Sequence, residues 1–575
     1  MINQPDRVSS ALLRKRLLAA VALPLLGLAG CASVPSDGAG SGLGVQTVQI
    51  LALNDFHGNI ESPTTPTRWL AGSNERQEPL GGAARMGAAL GRLRDGQANT
   101  VTVAAGDLIG ASPLASAHFL DEPSVMALNH MGLEIAAVGN HEFDRGTAEL
   151  QRMQRGGCEK LTTREPCQLD RPFEGASFAY LAGNVLNDAG QTLFPGTAMR
   201  DFGAVRVGFI GLTLESTGDL VSPAGTDGYR FADEAETANR LAMELRAAGA
   251  DAVVLLIHQG GYTTPINNEA ACDGLTGPIL PILDALDPGV GLVISGHTHA
   301  AYVCKLTAAD GSTRLLTSAG RYGYFVTDIR LTVDPSNDRV AAAAVNVPVT
   351  AAAGEQGDIA TLVGRYVAAA EPIAARVVGR VEGSLTGYAQ GTDSPLANLL
   401  ADAQLAATRD PANGGAQIAF MNSGGVRGRL TPAADGEVTY GQLFAVQPFG
   451  NTLVVLEMTG AQIRQLLEQQ FTDASPAEIQ NSLLIPSQGF RFTFDPARPV
   501  GERITEIAFD DAPLDPARSY RVTVNSFLAT GGDGFATFTD ARVIGDAGLD
   551  LYALETWVAQ GARAPTESRV TRLGD

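Results

Sequence analysis

The stretch Ile135-Ala136-Ala137-Val138-Gly139-Asn140-His141-Glu142-Phe143-Asp144 joins a short apolar run to a polar motif. Short apolar runs that end at a glycine are typical of buried β-strands. The motif supplies an amide, an imidazole and two carboxylates directly after the run. In open α/β folds, such side chains collect at the carboxyl ends of the strands. The stretch therefore predicts a strand that presents polar ligands at its end.

The same pattern recurs four more times along the first half of the chain. The apolar runs cover residues 48–53, 101–105, 252–257 and 291–294, and the motifs that follow are Asn54-Asp55-Phe56-His57-Gly58, Gly106-Asp107, His258-Gln259 and Gly296-His297-Thr298-His299. Five of the seven histidines lie in the five motifs. The remaining two, His118 and His130, have no such neighbours and are interpreted as structural. This concentration of histidines predicts one metal site.

The types of ligand indicate which cations fit. Imidazole, carboxylate and amide groups suit divalent Mn, Zn, Fe, Co or Mg, and Asp107 has two oxygens with which it can bridge two cations. Two cations about 3.5–4 Å apart would hold a hydroxide and neutralise charge that develops on a phosphoryl group. The sequence therefore predicts a dinuclear site and phosphoester hydrolysis.

These ordered motifs resemble those of the calcineurin-like metallophosphoesterases, and the chain beyond its first 31 residues resembles the bacterial 5′-nucleotidases and UDP-sugar hydrolases. The resemblance implies an α/β fold, with a metallophosphoesterase α/β/β/α sandwich and a second α/β substrate-binding domain. It implies two ligand sets that share Asp107: Asp55, His57, Asp107 and His299 for one cation, and Asp107, Asn140, His258 and His297 for the other. It also implies that His141 stabilises the phosphoryl transition state and that Asp144 orients His141.

A glycine-rich loop in the second half has its own signal. Strand-like residues 417–420 run into Met421-Asn422-Ser423-Gly424-Gly425-Val426-Arg427. The paired glycines Gly424 and Gly425 expose backbone N–H groups, and Arg427 offers a guanidinium to a carboxylate or phosphate. A plain glycine turn is the alternative interpretation.

The resemblance adds a nucleoside pocket to this loop. It implies that Phe449 and Phe527 sandwich the base, and that four polar residues, Asn422, Arg427, Asn451 and Asp533, contact base, phosphate or ribose. The alternative is that both phenylalanines belong to the core. In one respect the chain departs from the family, which often has an arginine shortly before its Leu-Gly-Asn-Leu motif. Residues 390–399 of this chain contain no basic residue near Thr392.

The N-terminus resembles a bacterial lipoprotein signal. Arg14-Lys15-Arg16 precedes an apolar stretch over residues 17–28, which ends in Leu28-Ala29-Gly30-Cys31. A secretory peptide with a chance cysteine is the alternative. We expect a signal peptide over residues 1–31, a tether over 32–45, a metallophosphoesterase domain over 46–350, a linking helix and hinge over 351–380, and a substrate-binding domain over 381–575. The protein would be anchored in a membrane through Cys31 and face the periplasm or cell surface.

Four further cysteines indicate the redox state of the compartment in which the protein is found. Cys158 and Cys167 close a short loop, and Cys272 and Cys304 flank the Gly296–His299 motif. Two disulfides in an oxidising periplasm would account for them. Metal ligation is the competing interpretation, although the Cys-x-x-Cys spacing is missing.

The net charge of the chain indicates which class of substrate it binds. The net charge of −21 and the pI near 4.8 disfavour the binding of a nucleic acid polymer through a broad basic face. We therefore expect hydrolysis of small 5′-nucleotides to nucleoside and phosphate by metal-bound hydroxide. Enzymatic alternatives on the same scaffold are a UDP-sugar hydrolase, a 2′,3′-cyclic-nucleotide phosphodiesterase and a thiosulfate-pathway thiol hydrolase. Outside the enzyme class, a nucleotide-binding surface lipoprotein and a structural envelope lipoprotein are the competing interpretations.

Overall fold

The computed structural model describes residues 45–71, 74–263, 272, 274–308, 310–335, 339–385, 393–471 and 483–574. The predicted signal peptide, Cys31 and nearly all of the predicted tether lie outside these residues, as does Thr392. None of the helices in the described ranges is long and apolar enough to cross a bilayer.

The first sheet carries three of the five predicted motifs. Its six strands, in spatial order, are Arg339–Pro348, Phe325–Asp334, Gln46–Leu53, Thr100–Ala105, Ile135–Ala137 and Ala179–Leu181. The strands that start at Gln46, Thr100 and Ile135 are parallel neighbours. Their carboxyl ends, and the motifs that follow them, therefore meet at one edge of the sheet.

The second sheet carries the remaining two motifs. Its strands, in spatial order, are Ala301–Thr307, Thr313–Ala319, Leu292–Ser295, Ala252–His258, Val205–Thr213 and Thr197–Phe202. Ala252–His258 pairs in parallel with Leu292–Ser295. His258 thus ends one strand, and the Gly296–His299 motif follows its neighbour. All five apolar runs are confirmed as strands.

The two sheets pack face to face, with helices on their outer faces. Val48 and Ile50 of the first sheet share a buried cluster with Val254 and Leu256 of the second. Because side chains alternate along a strand, Leu51 instead faces outward, into a cluster with helices Ala83–Arg94 and Glu122–His130. Helices Glu234–Ala247 and Ile279–Ala285 cover the second sheet. The predicted α/β/β/α sandwich is confirmed.

The helix Gly357–Ala374 corresponds to the predicted linking helix. Ile359, Leu362, Tyr366 and Ala370 lie on one of its faces and are buried in the core of the first domain. The hydroxyl of Tyr366 donates a hydrogen bond to Asp170 at 2.9 Å. The helix is therefore part of the first domain's packing, while the predicted hinge and exact domain limits stay predictions.

The second domain is built on mixed sheets, as expected for an α/β domain. Its five-stranded sheet has the order Leu484–Pro486, Ile418–Asn422, Ser519–Asn525, Thr452–Thr459 and Arg542–Leu549. A four-stranded sheet has the order Ala512–Pro513, Ile504–Phe509, Phe490–Phe494 and Val570–Arg572, and a three-stranded sheet has the order Glu437–Thr439, Val377–Glu382 and Ala562–Arg563. The main helices are Pro395–Thr408, Tyr440–Val446, Gly460–Gln469 and Asp550–Ala559. The core of this domain also takes in Leu114 and Ala117 of the first domain.

Both predicted disulfides are present. Cys158 is bonded to Cys167, and Cys272 is bonded to Cys304. The alternative interpretation of these cysteines as metal ligands is wrong, because their sulfur atoms are already paired.

Candidate metal centre

The turns after the strands have an unusual backbone. Five of the seven predicted ligands have a positive φ, namely Asp55 (49°), His57 (47°), Asp107 (51°), His297 (70°) and His299 (59°). Residues other than glycine seldom adopt this conformation, which clusters at functional sites. The neighbouring glycines allow close approach, since a Cβ added at Gly139 would collide with Oδ1 of Asp107. The loops are therefore packed closely around the ligands.

One group of ligands forms where the two sheets meet. Nε2 of His299 lies 3.1 Å from Nε2 of His57 and 3.4 Å from Oδ1 of Asp55. The distance from Nε2 of His57 to Oδ1 of Asp55 is 3.9 Å. Because one atom of each side chain points to a common centre, the three residues could hold a divalent cation.

A second group is joined to the first through Asp107. Oδ2 of Asp107 lies 3.0 Å from Nε2 of His258 and 3.5 Å from Nε2 of His57. Nε2 of His258 is also 3.2 Å from Oδ1 of Asn140. The ring of His297 lies 5.4 Å from that of His258, centroid to centroid. This mixed set of imidazole, carboxylate and amide groups fits two divalent cations, with Asp107 between them.

The outer nitrogens of two histidines are fixed by backbone carbonyls. Nδ1 of His57 lies 2.9 Å from the oxygen of Gly110, and Nδ1 of His258 lies 2.8 Å from that of Ala105. A neutral imidazole that donates from Nδ1 presents the lone pair of Nε2 to a cation. Both rings are therefore oriented as ligands.

Burial and neighbouring charges determine which ligands are protonated. Burial, followed by the nearby charge of His258, lowers the pKa of His297 to about 4. Burial and Arg427 hold the pKa values of His57 and His299 well below their usual range. Burial would also lower the pKa of His258, but Asp107 outweighs it and raises the pKa to about 9. A cation bound beside His258 would therefore compete with this proton.

His141 and Asp144 form a pair beside the ligands. Nδ1 of His141 lies 2.9 Å from one carboxylate oxygen of Asp144 and 3.0 Å from the other. The backbone N–H of His141 donates to Oδ1 of Asp107 at 2.9 Å. Burial would lower the pKa of His141, but the carboxylates of Asp144 and Asp107 outweigh it and raise the pKa. The ring is therefore suited to face an anion as an imidazolium.

Two side chains of the second domain reach this centre. Nη2 of Arg427 lies 3.0 Å from Nε2 of His57, and its buried Nε has no partner among the described residues. The ring of Phe449 stacks on that of His141 at 5.8 Å with an interplanar angle of 19°. Arg427 also lies over Phe449, with Cζ 6.0 Å from the ring centroid.

The remaining predicted substrate residues lie in neighbouring loops of the second domain. Gly424 and Gly425 lie in a 3₁₀ turn, Ser423–Gly425, at the end of the strand Ile418–Asn422. Nδ2 of Asn422 donates to Asp533 at 2.7 Å, and burial raises the pKa of Asp533 to about 6. Phe527 packs against Gly532. Asn451 accepts a hydrogen bond from the hydroxyl of Ser526 at 3.3 Å. The described contacts of Phe449 thus include the first domain, whereas Phe527 packs within its own domain.

Three residues of the centre had no role in the sequence prediction. Glu142 accepts hydrogen bonds from the backbone N–H groups of Asp107, Leu108 and Gly139. Arg321 lies 3.5 Å from Nδ1 of His299, measured from Nη1, and Tyr322 packs edge-on to His299. The sequence does contain a signal for Arg321. It follows the strand Thr313–Ala319 and Gly320, just as Asp107 and His297 each follow a strand and a glycine.

The two histidines that were interpreted as structural lie outside the centre. The ring of His118 packs edge-on against Phe119. Nδ1 of His130 lies 2.9 Å from Asp358 of the linking helix.

Comparisons with known proteins agree with this arrangement. The family model of the calcineurin-like phosphoesterases matches residues 48–301, and that of the 5′-nucleotidase C-terminal domain matches residues 377–540. Endonuclease YhcR of Bacillus subtilis (strain 168) is 28% identical over 490 residues, which cover 84% of this chain and 37% of the relative. Cell wall protein Lmo0130 of Listeria monocytogenes serovar 1/2a is 31% identical over 535 residues, which cover 86% of this chain and 65% of the relative. The chain thus spans less than two thirds of the length of either relative.

A solved structure matches over nearly the whole chain. The crystal structure of a 5′-nucleotidase precursor from Thermus thermophilus superposes with a TM-score of 0.74 at 25% identity, and the match covers 92% of this chain and all of that one. The two family models together account for both halves of the molecule. The chain therefore combines a calcineurin-like phosphoesterase domain with a 5′-nucleotidase C-terminal domain.

Proposed function

We propose that this protein hydrolyses 5′-nucleotides to a nucleoside and inorganic phosphate with the help of two divalent cations. One observation carries the proposal: the ligand groups around Asp107, the His141–Asp144 pair and Arg427 of the second domain converge on one centre. An anion that enters there meets positive charge from both domains.

The residues divide the chemistry between them. Seven side chains would hold the cations, namely Asp55, His57, Asp107, Asn140, His258, His297 and His299. Two cations in such a site supply Lewis acidity and an activated water. His141 would donate a hydrogen bond to a phosphoryl oxygen, and Asp144 keeps the ring charged and oriented toward it. The guanidinium of Arg427 offers paired donors that match a phosphoryl group.

The second domain would supply the specificity for nucleosides. Phe449 and Phe527 would supply aromatic faces for a base, and the Asn422–Asp533 pair offers polar atoms in the same domain. Stacking accepts any base because each has a π face. The similarity to the Thermus thermophilus 5′-nucleotidase precursor favours this substrate class over UDP-sugars and cyclic nucleotides.

We further propose that the protein acts outside the cytoplasm and is held to a membrane through a lipid on Cys31. The two disulfides support this location, because such bonds persist in oxidising compartments. The similarity to a cell wall protein of Listeria monocytogenes also supports it.

The test is phosphate release by the protein that begins after Cys31, loaded with Mn or Zn. The substrates are AMP, UDP-glucose, 2′,3′-cyclic AMP, p-nitrophenyl phosphate and single-stranded DNA. We expect preference for AMP. Activity on p-nitrophenyl phosphate alone would retain the metal site but eliminate the nucleoside pocket. Release of nucleotides from DNA would indicate a nuclease, and inactivity with both cations bound would favour a binding protein.

A further inference from the structure

We propose that Arg321 of the first domain is a second anion-binding residue, which holds the phosphoryl group of the substrate together with Arg427 of the second domain. The inference rests on the proposed function and adds to it a residue that neither the motifs nor the family resemblance indicated. Its basis is the position of Arg321 and the hydrogen-bonding chemistry of its neighbours.

The two guanidinium groups approach the same pair of imidazoles. Nη2 of Arg427 lies 3.0 Å from Nε2 of His57, and Nη1 of Arg321 lies 3.5 Å from Nδ1 of His299. The two imidazoles are themselves adjacent, with 3.1 Å between their Nε2 atoms. Both cationic side chains therefore border the same group of predicted ligands.

The contact between Arg321 and His299 needs an acceptor. Nε2 of His299 faces Asp55 and His57, so this is the nitrogen that would bind a cation. Nδ1 then carries the hydrogen, and a guanidinium has only donors. Two donors that face each other require an acceptor between them.

His57 and His258 also direct Nε2 toward the predicted cation positions, but their Nδ1 atoms already face an acceptor. Their outer nitrogens face the backbone carbonyls of Gly110 and Ala105. Those carbonyls accept the hydrogen bond that fixes a ligating imidazole. His299 alone of these three therefore directs its outer nitrogen to a cation. An oxygen of an anion bound beside His299 would supply the missing acceptor for Arg321.

The position of Arg321 is fixed before any anion arrives. Its Cζ lies 5.0 Å from the centroid of the Tyr322 ring. The backbone N–H of Tyr322 donates to the carbonyl oxygen of Asp55 at 2.7 Å, which ties this segment to the first ligand loop. Within the described part of the chain, the guanidinium of Arg321 forms no ion pair. Its positive charge is therefore available to a substrate.

The role makes a specific kinetic prediction. Arg321 would touch the phosphoryl group and not the nucleoside, so its loss affects nucleotides and simple phosphate esters alike. A contact that is equally strong in the ground state and the transition state changes KM and leaves kcat nearly unchanged.

The experiment compares Arg321→Gln and Arg321→Lys with Arg563→Gln. Arg563 is exposed, pairs with Glu382 on the surface, and serves as a control for the loss of one positive charge. Calorimetry measures the binding of inorganic phosphate to Mn-loaded protein, elemental analysis measures the Mn content, and steady-state kinetics use AMP and p-nitrophenyl phosphate.

We expect Arg321→Gln to weaken phosphate binding and to raise KM for both esters at least tenfold, which corresponds to about 1.4 kcal/mol. The Mn content should equal that of the wild type. Arg321→Lys should recover part of the affinity, because it keeps the charge but loses the planar fork. Arg563→Gln should behave like the wild type.

Three results would overturn the inference while the wild type remains active. Phosphate affinity of Arg321→Gln equal to that of the wild type would exclude the contact. Loss of Mn from this variant would show that Arg321 positions His299 instead. A KM effect confined to AMP would place Arg321 at the nucleoside. Failure of the proposed function is distinguishable, because then the wild type itself neither binds phosphate nor releases it from an ester.

Discussion

Nη2 of Arg427 lies 3.0 Å from Nε2 of His57, although 370 residues separate the two in the sequence. His57 follows the first strand of the first domain, and Arg427 lies in the glycine-rich loop of the second. The metal centre is therefore completed by a side chain from the second domain. Neither domain alone contains every charge that surrounds the site.

Asp107→Asn should abolish turnover and leave the fold intact. Oδ2 of Asp107 lies near His258 and His57, so this carboxylate belongs to both ligand groups. An amide has no negative charge and one acceptor fewer, and both cations should bind more weakly. Elemental analysis and phosphate release check the result, with circular dichroism as a control for folding. Turnover at the wild-type level would refute the dinuclear assignment.

Glu142→Gln should weaken metal binding by about 10- to 100-fold, the range seen when partners of metal ligands are altered. The carboxylate accepts backbone hydrogen bonds from Asp107, Leu108 and Gly139 at 2.9, 2.8 and 2.6 Å. A glutamine would turn an N–H donor toward one of these donors, which shifts the two ligand loops apart.

Competition with a chelator measures the metal affinity of Glu142→Gln. Glu244→Gln is the matched control, since Glu244 is exposed and pairs only with Arg240 among the described ion pairs. Unchanged metal affinity of Glu142→Gln, with a lower melting temperature, would assign Glu142 to stability alone.

Phe449→Ala should raise KM for AMP at least tenfold and change KM for p-nitrophenyl phosphate little. Loss of a stacked base costs about 1–3 kcal/mol in single-stranded nucleic acid complexes. The artificial ester is the internal control, because both substrates need the same metal centre. Phe449 also stacks on His141. An equal loss of kcat on both substrates would therefore indicate that Phe449 acts by positioning His141.

Asp550→Asn should stabilise the protein more at pH 8 than at pH 5. Burial raises the pKa of Asp550 to about 7, from a usual value of 3.8. The folded protein thus holds this proton more tightly than the unfolded chain, and the wild-type free energy of unfolding falls as pH rises from about 4 to 7.

Asparagine removes this penalty at Asp550, which amounts to roughly 4 kcal/mol at most. Thermal unfolding of both proteins at the two pH values measures it. Equal gains at pH 5 and pH 8 would show that the carboxyl of Asp550 is not the cause.

The sequence predicted the elements that depend on local pattern. Five apolar runs are strands, and the linking helix predicted within residues 351–380 is observed as Gly357–Ala374. Within each sheet, the side chains after parallel strands meet because those strands end at the same edge. The motifs of the two sheets meet because the sheets pack face to face, which the sequence pattern does not encode. The number and spacing of the cysteines favoured two disulfides, but the structure was needed to exclude metal ligation and to show the pairing.

Further features depend on packing that no periodicity encodes. Glu142 stands in a motif, but its backbone partners at Asp107 and Leu108 lie on a loop that is remote in the sequence. Arg321 is a single arginine after a strand, and only its contact with His299 in the structure indicates a role in the site. The stack of Phe449 on His141 depends on how two independent sheets are placed, which patterns within either half cannot predict.

The positive φ of five predicted ligands means that these residues reduce the stability of the fold while they supply atoms that can bind a cation. Glycine at Asp55, His57, Asp107, His297 or His299 would relieve a left-handed backbone at about 1–2 kcal/mol per residue. The same change would delete a ligand of the metal centre. The turns that carry the predicted ligands therefore bear a backbone cost that glycine would avoid, and metal binding by aspartate and histidine would offset that cost.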